Sequence, residues 1–153
     1  MQRLNSSDLR LPVFVYSGDP HESPTLYREK GFLETCSQEA LSNGWYERIS
    51  LIDEIGTSLK VVEAKFARKG RKAWPGLFAP RLIEVNLLIQ PGPELTLEQV
   101  KEIVARQILF HRKMFRDTSL NLPEMVAKIR DAASMAQIWS VLQLLGIAIP
   151  YRS

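Results

Sequence analysis

The stretch WYERISLIDEIGTSLKVVEAKFARKGRKAWPGLFAPRLIEVNLLIQ, residues 45–90, decides the fold. It contains three runs rich in β-branched and other apolar residues, which predict strands over Tyr46–Ile52, Thr57–Phe66 and Arg81–Gln90. The residues 53–56, Asp-Glu-Ile-Gly, predict a tight reversal between the first two runs. Because consecutive strands usually lie side by side, we predict an antiparallel meander of three to four strands.

The third run shows which side of this sheet faces the core. Ile83, Val85, Leu87 and Ile89 alternate with a partly polar set, so a strand places all four on one face. The tripeptide Pro-Gly-Pro at 91–93 is expected to end the strand at Gln90.

Shorter signals precede this stretch. Val13–Tyr16 predicts a strand that ends in a turn cluster. Ser23 and Pro24 match an N-cap and first helical position, and they predict a short helix to about Lys30. A further helical turn is expected over Ser37–Leu41.

The last third of the chain has helical spacing and three N-cap signals. Thr96 and Gln99 form a capping box that predicts a helix over 97–115. Asn121 and Ser134 predict the starts of two more helices, the last with an apolar face that includes Ile138. Because a small sheet must cover its apolar side, these helices are expected on one face of it. The sequence therefore predicts one α+β domain over residues 1–153.

Composition narrows the class of protein. An apolar content of 45% and a charged content of 24% are ordinary for a globular domain. The single cysteine, Cys36, cannot form an internal disulfide, and we expect a buried free thiol in a reducing compartment such as the cytoplasm. No apolar run approaches the length of a transmembrane helix, so no membrane partner is expected.

The strongest functional signal is the basic connection RKGRKAWPGLFAPR, residues 68–81. It combines cations with aromatic residues and contains no acid, which favours contact with an acidic protein patch or with nucleic acid phosphates. The alternative is that Trp74, Leu77 and Phe78 fold back to cover the core. The candidate partner-binding residues are Arg68, Lys69, Arg71, Lys72, Trp74, Phe78 and Arg81.

Charge is distributed unevenly along the chain. Residues 60–93 carry seven basic and two acidic groups, whereas residues 1–59 carry five basic and nine acidic groups. The acidic first third, and the modest net charge of +3, argue against nucleic acid as the main partner.

Signals for catalysis or metal binding are weak. His21 and His111 lie ninety positions apart and match no metal-ligand spacing, so we predict neither a metal nor a cofactor. His111 is expected at the core and His21 in a solvated loop. The adjacent acids Asp53 and Glu54 are expected to form a turn, since paired catalytic carboxylates need a pocket that holds them apart. An enzyme built from scattered residues stays an alternative.

The order of these segments resembles a known class of proteins. The hairpin GWYERISLIDEIGTSLKVVEAKF is followed by a Trp/Gly/Phe loop, the strand RLIEVNLLIQPG, the helix LTLEQVKEIVARQI and the capped helix SMAQIWSVLQLLG. Over roughly residues 45–146 this arrangement resembles small bacterial immunity-type proteins, which are encoded beside polymorphic toxins. The resemblance implies a cytosolic α+β domain that binds and blocks a cognate toxin and has no catalytic residues.

The sequence therefore favours a non-enzymatic protein-binding domain, an inhibitor that acts by steric occlusion of a protein partner. A nucleic-acid-binding module that uses the basic connection 68–81 is the first alternative, and an enzyme with an unrecognised site is the second.

Overall fold

A seven-stranded antiparallel sheet forms the centre of the protein in a computed structural model, which describes residues 3–19, 21–115 and 121–145. The strands are β1 (Leu4–Asn5), β2 (Val13–Tyr16), β3 (Thr25–Tyr27), β4 (Thr35–Cys36), β5 (Ser50–Ile52), β6 (Thr57–Lys72) and β7 (Arg81–Glu94). The helices are α1 (Lys30–Leu33), α2 (Gln38–Ser42), α3 (Trp45–Arg48), α4 (Leu97–Phe110), α5 (Leu122–Arg130) and α6 (Met135–Leu144), with 3-10 turns at Ser6–Asp8 and Arg112–Phe115.

The strand order is β1-β7-β6-β5-β2-β3, and β4 also pairs with β7. The predicted α+β class and the β5-β6-β7 meander are confirmed, and the sheet is not closed into a barrel. It has more strands than the three to four predicted, because short segments of the first third pair with both ends of the meander.

The two faces of the sheet bury two separate cores. In β2, Phe14 faces one core and its neighbours Val13 and Val15 face the other, as the twofold alternation of a strand requires. The C-terminal cluster joins Phe14, Leu26 and Ile52 to the apolar faces of α4, α5 and α6. The C-terminal helices thus cover one face of the sheet, as predicted.

The N-terminal cluster fills the opposite face. It contains the predicted apolar side of β7, whose four residues are all buried, together with Leu59 and Val61 of β6. Leu33, Cys36 and Tyr46 cover this side from the first third of the chain. The apolar side of β7 therefore packs against N-terminal segments, on the face opposite the C-terminal cluster.

Two predictions in the first half of the chain are wrong. The strand predicted over Tyr46–Ile52 is a strand only at Ser50–Ile52, because the chain first makes the helical turn α3, which buries Tyr46 and lets its hydroxyl donate to the carbonyl of Leu33 at 2.6 Å. The helix predicted from Ser23 to Lys30 is instead β3 followed by α1. Pairing with β2 overrides the local capping signal there.

Strands β6 and β7 are longer than predicted. Strand β6 continues past Phe66 to Lys72, and β7 continues through 91–93 to Glu94. The ladder holds across both prolines, with Leu59 opposite Pro91 and Thr57 opposite Glu94, and its register shifts between these two pairs. Proline is tolerated in a strand where the missing N–H is not needed by the ladder.

The predicted helix caps are confirmed. Thr96 accepts from the N–H of Gln99 at 3.2 Å, and the Gln99 side chain accepts in return from the N–H of Thr96 at 2.8 Å. Asn121 accepts from the N–H of Glu124 at 3.2 Å. Ser134 accepts from the N–H of Gln137 at 3.3 Å, which starts α6.

We expect Ser134→Ala to lower the free energy of unfolding by about 1 kcal/mol, because the N–H of Gln137 loses its acceptor. Ser140→Ala is the matched control, since the Ser140 hydroxyl bonds only the carbonyl of Ala136 within the same helix and alanine is the better helix former. Urea melts of both variants measure the difference. An equal effect at the two sites would mean that the cap does not stabilise α6.

Candidate partner-binding site

The most exposed feature of the described chain is the far half of the β6–β7 hairpin. We call residues 66–82 the arm, and the connection within it, Ala73–Pro80, the tip. No residue of the arm is buried. All five cations of the predicted basic loop lie on strands, four on β6 and one at the start of β7, and the eight residues of the tip connect the two strands.

Contacts within the hairpin hold this ribbon in one conformation. Its ladder pairs Lys69 with Ile83 and Lys72 with Arg81. The Arg81 guanidinium donates to the carbonyl of Gly70 at 3.1 Å, and the Lys72 ammonium donates to the carbonyl of Gly76 at 3.0 Å. These bonds join the two strands at the base of the tip.

Two further contacts tie the arm to the body. The Arg68 guanidinium forms an ion pair with the carboxylate of Glu84, the residue opposite it on β7. The Arg71 guanidinium lies over the ring of Phe32, 5.9 Å from its centroid, at the outer limit of a cation–π contact. Both contacts are made by the rest of the arm, residues 66–72 and 81–82, which we call the stem.

The tip presents apolar side chains to solvent. Trp74 is 58% exposed, Leu77 83% and Phe78 93%, and none of the three belongs to either core cluster. The alternative in which these residues cover the core is therefore wrong. All eight residues of the tip are uncharged, so an apolar end is carried on a basic stem.

The structure brings the predicted site residues together on one element. The residues Arg68, Lys69, Arg71, Lys72, Trp74, Phe78 and Arg81 all lie on the arm and are all exposed. Arg68 has an ion pair with Glu84, whereas no carboxylate of the described residues lies within ion-pair distance of the other four cations. The stem thus keeps most of its positive charge unneutralised.

Sequence reasoning missed two exposed apolar residues and the extended form of the arm. Phe66, 53% exposed, is predicted only as the end of a strand, and Leu77, 83% exposed, is not among the predicted site residues. Pro75 and Gly76 carry the signal that could have found the arm. They are the strongest turn pair between the two strands, and they place the reversal near the middle of the connection.

The other candidate residues lie outside the arm. Asp53 is buried and its Oδ1 accepts from the N–H groups of Ile55 and Thr57 at 3.1 and 2.9 Å, which makes it a turn former as predicted. His111 is buried, with Nδ1 3.0 Å from the carbonyl of Gln107, and His21 is exposed. Within residues 3–19, 21–115 and 121–145, no three His, Cys, Asp or Glu side chains are grouped as a metal site would require.

Cys36 is buried in the N-terminal cluster as predicted, and burial raises the pKa of its thiol. Because the thiolate is the reactive form, we expect the native protein to resist alkylation by iodoacetamide at pH 8 and to react fully in guanidinium. Mass spectrometry of the two samples measures this. Rapid native labelling would show that the cluster opens locally.

A cleft of about 490 Å³ lies where α6 meets the β5–β6 turn. Trp139 lines it, and its indole N–H donates to the carbonyl of Glu54 at 3.1 Å while its ring packs on Phe14. The guanidinium of Arg28 reaches the side-chain oxygen of Gln143 at 2.7 and 3.0 Å. These two contacts join α6 to the β5–β6 turn and to the residue that follows β3.

Comparison of the chain with protein-family models, with curated proteins and with solved structures finds no match. No helix of the described part of the chain has the length and apolar character needed to cross a bilayer. The interpretation of the arm therefore rests on its own geometry.

Proposed function

We propose that this chain is a protein-binding domain that uses its arm to occlude a partner protein, as an immunity-type inhibitor of a toxin in the cytoplasm. The observation that supports the proposal most strongly is the exposed apolar tip on a basic stem. Large exposed apolar side chains are costly in water, and in clusters they mark interaction sites.

The cations of the stem also have an explanation that needs no partner. Lysine and arginine on an edge strand also oppose unwanted pairing between sheets. That role accounts for the cations but not for Trp74, Leu77 and Phe78, which increase the risk of aggregation. Only a partner that buries the tip explains both features together.

A protein partner fits these features better than nucleic acid. The part of the arm that extends furthest along the hairpin carries no cation, and the chain outside residues 60–93 has a net negative charge. A protein surface can supply both an apolar pocket for the tip and acidic groups for the stem. An interface of standard size buries about 1,600 Å² in total, enough to cover a binding cleft of the partner.

The direct test uses the product of the reading frame adjacent to this gene. The full-length protein is compared with a shortened variant in which Gly70–Leu82 is replaced by Asn-Gly, since Lys69 and Ile83 are opposite each other and a two-residue turn can join them. We expect the full-length protein to bind and inhibit the adjacent product, and the shortened one to keep its fold but lose both. Retained inhibition by the folded shortened variant would exclude residues 70–82, and with them the tip, as the site.

The stem charges are expected to act on the rate of association. Replacing Arg68, Lys69, Arg71 and Lys72 by serine should slow association about tenfold at low salt, because charges at the edge of an interface mainly steer encounter. The melting temperature should change little, since the Arg68–Glu84 pair is on the surface.

The matched control replaces four exposed cations elsewhere, Arg112, Lys113, Lys128 and Arg130, which are also two arginines and two lysines. Surface plasmon resonance at several salt concentrations measures both variants. Equal slowing in the two would attribute the effect to net charge, and the arm would lose its special role.

A further inference from the structure

One edge of β6 is open along the arm. Strand β5 pairs with β6 only from Ser58 to Lys60, whereas β7 pairs with β6 along its other edge as far as Lys72. Among the described residues, no strand pairs with the β5-side edge of β6 beyond Lys60. Its last eight residues, Lys65–Lys72, span at most about 26 Å at the usual strand rise, since the register with β7 shifts between Phe66 and Arg68 and between Lys69 and Lys72.

The outer edge of β7 differs from this. Strand β4 pairs with β7 at Ile83 and Glu84, and β1 pairs with it at Leu88 and Ile89. Strands β4 and β1 thus occupy parts of the outer edge of β7. The β6 edge beyond Lys60 is therefore the longer open edge of the hairpin. An unpaired strand edge of this length offers backbone N–H and C=O groups to an added strand.

The positive charge of this edge determines which kind of strand it can bind. Five of the eight residues from Lys65 to Lys72 are cations, and none is acidic. Lys65 and Arg68 are opposite Asn86 and Glu84, on one face of the ribbon, whereas Lys69 is opposite buried Ile83, on the other. A strand laid beside β6 would thus meet positive charge on both of its faces.

A second copy of this chain is a poor occupant of the edge. Pairing two β6 edges would bring the cations of both copies together, and like charges on neighbouring strands destabilise the pair. An extended acidic segment instead gains an opposite charge at each of these positions.

We infer that the open edge of β6, Lys65–Lys72, accepts an extended acidic segment of the partner as an additional antiparallel or parallel strand. The inference rests on the proposed function and deepens it. The tip would contact an apolar pocket while the stem adds a strand from the same partner.

The experiment titrates a synthetic peptide, acetyl-Glu-Glu-Thr-Val-Glu-Glu-Thr-Val-amide, into the ¹⁵N-labelled full chain at low salt, because this order places glutamates on both faces of an extended strand. We expect NMR shift changes and slowed amide exchange concentrated in β6 between Lys65 and Lys72. The control peptide has the same side chains with every backbone nitrogen methylated, so it keeps the charge but cannot donate to a strand ladder. It should bind at least tenfold more weakly. Equal binding of the two peptides, or shifts elsewhere on the protein, would overturn the inference.

Variants of the protein test the role of charge. Replacing Lys65, Lys69 and Arg71 by serine should weaken binding of the unmodified peptide about three- to tenfold. Replacing the exposed cations Lys113, Lys128 and Arg130 by serine should not. If both variants bind equally, the peptide recognises net charge and the edge is not its site.

Two further measurements address the other occupants. If the wild-type chain sediments as a dimer and its amides at 65–72 are protected from exchange, the edge is assigned to a second copy. Tighter binding of a twelve-base-pair DNA duplex than of the peptide, at the same residues, would assign it to nucleic acid. Either result overturns the inference.

This inference and the proposed function can fail separately. The shortened hairpin tests the proposed function with the adjacent gene product, and the methylated peptide tests strand addition with the wild-type chain. If the shortened variant loses inhibition while the two peptides bind equally, the proposed function is retained and strand addition is rejected.

Discussion

Ile138→Ala should lower the free energy of unfolding by about 2–5 kcal/mol. Ile138 is fully buried on α6 and belongs to the C-terminal cluster, where it packs with the residues that join the helices to β2, β3 and β5. Truncation to alanine removes apolar contacts and leaves a cavity that a close-packed core fills only in part. Denaturant unfolding followed by circular dichroism measures the loss.

Leu144→Ala is the control on the same helix. Leu144 is 61% exposed, so the same kind of truncation should cost less than about 0.5 kcal/mol. The contrast between the two positions tests whether α6 is docked firmly on the sheet. Similar small losses at both would mean that the last helix packs loosely and that Trp139 does not hold it in place.

The helix starts could be predicted because their causes are local. Thr96, Asn121 and Ser134 each bond an N–H three residues ahead, and such a bond depends on a few neighbouring residues. The buried face of β7 could also be predicted, because apolar residues at alternate positions mark that face whichever element packs against it.

Elements that depend on distant partners could not be read in this way. Ser23 and Pro24 carry a helix-start signal, yet the following residues Thr25–Tyr27 form a strand because β2 lies beside them. The turn α3 depends on Tyr46 finding the carbonyl of Leu33, thirteen residues away. Local propensity is a weak prior where tertiary contacts of this kind compete with it.

The basic and aromatic residues of the arm are apparent in the sequence, but the ribbon that carries them is not. A run of basic and aromatic residues indicates a surface, but it does not show whether Trp74 and Phe78 point inward or outward. Their exposure depends on β6 and β7 continuing as a ribbon past the core, which is decided by pairing between the two strands. The open edge of β6 likewise follows from where β5 begins, at Ser50.

The largest effect on binding is expected from Trp74→Ala. Trp74 is 58% exposed in the free protein, so its removal should leave the melting temperature unchanged within error. If the tip enters a pocket of the partner, loss of the indole should weaken binding by about 2 kcal/mol, because buried tryptophans commonly dominate interfaces. Most of this loss of binding free energy should appear in the dissociation rate, which should rise roughly thirtyfold, since interface contacts act mainly on that rate.

Phe110→Ala is the matched control for this prediction, because Phe110 is an aromatic residue on α4 with 56% exposure, close to that of Trp74. The kinetics of both variants with the adjacent gene product, and their melting temperatures, show whether Trp74 contributes to binding or to stability.

Slower association in the variant that lacks the four stem cations, combined with faster dissociation in Trp74→Ala, would show that stem and tip act at different steps of one encounter. If Trp74→Ala dissociates at the wild-type rate, the tip is not an anchor. The acidic residues of the first third, Asp19, Glu22, Glu29, Glu34 and Glu39, would then be the next surface to test, since they suit a basic target such as a nuclease.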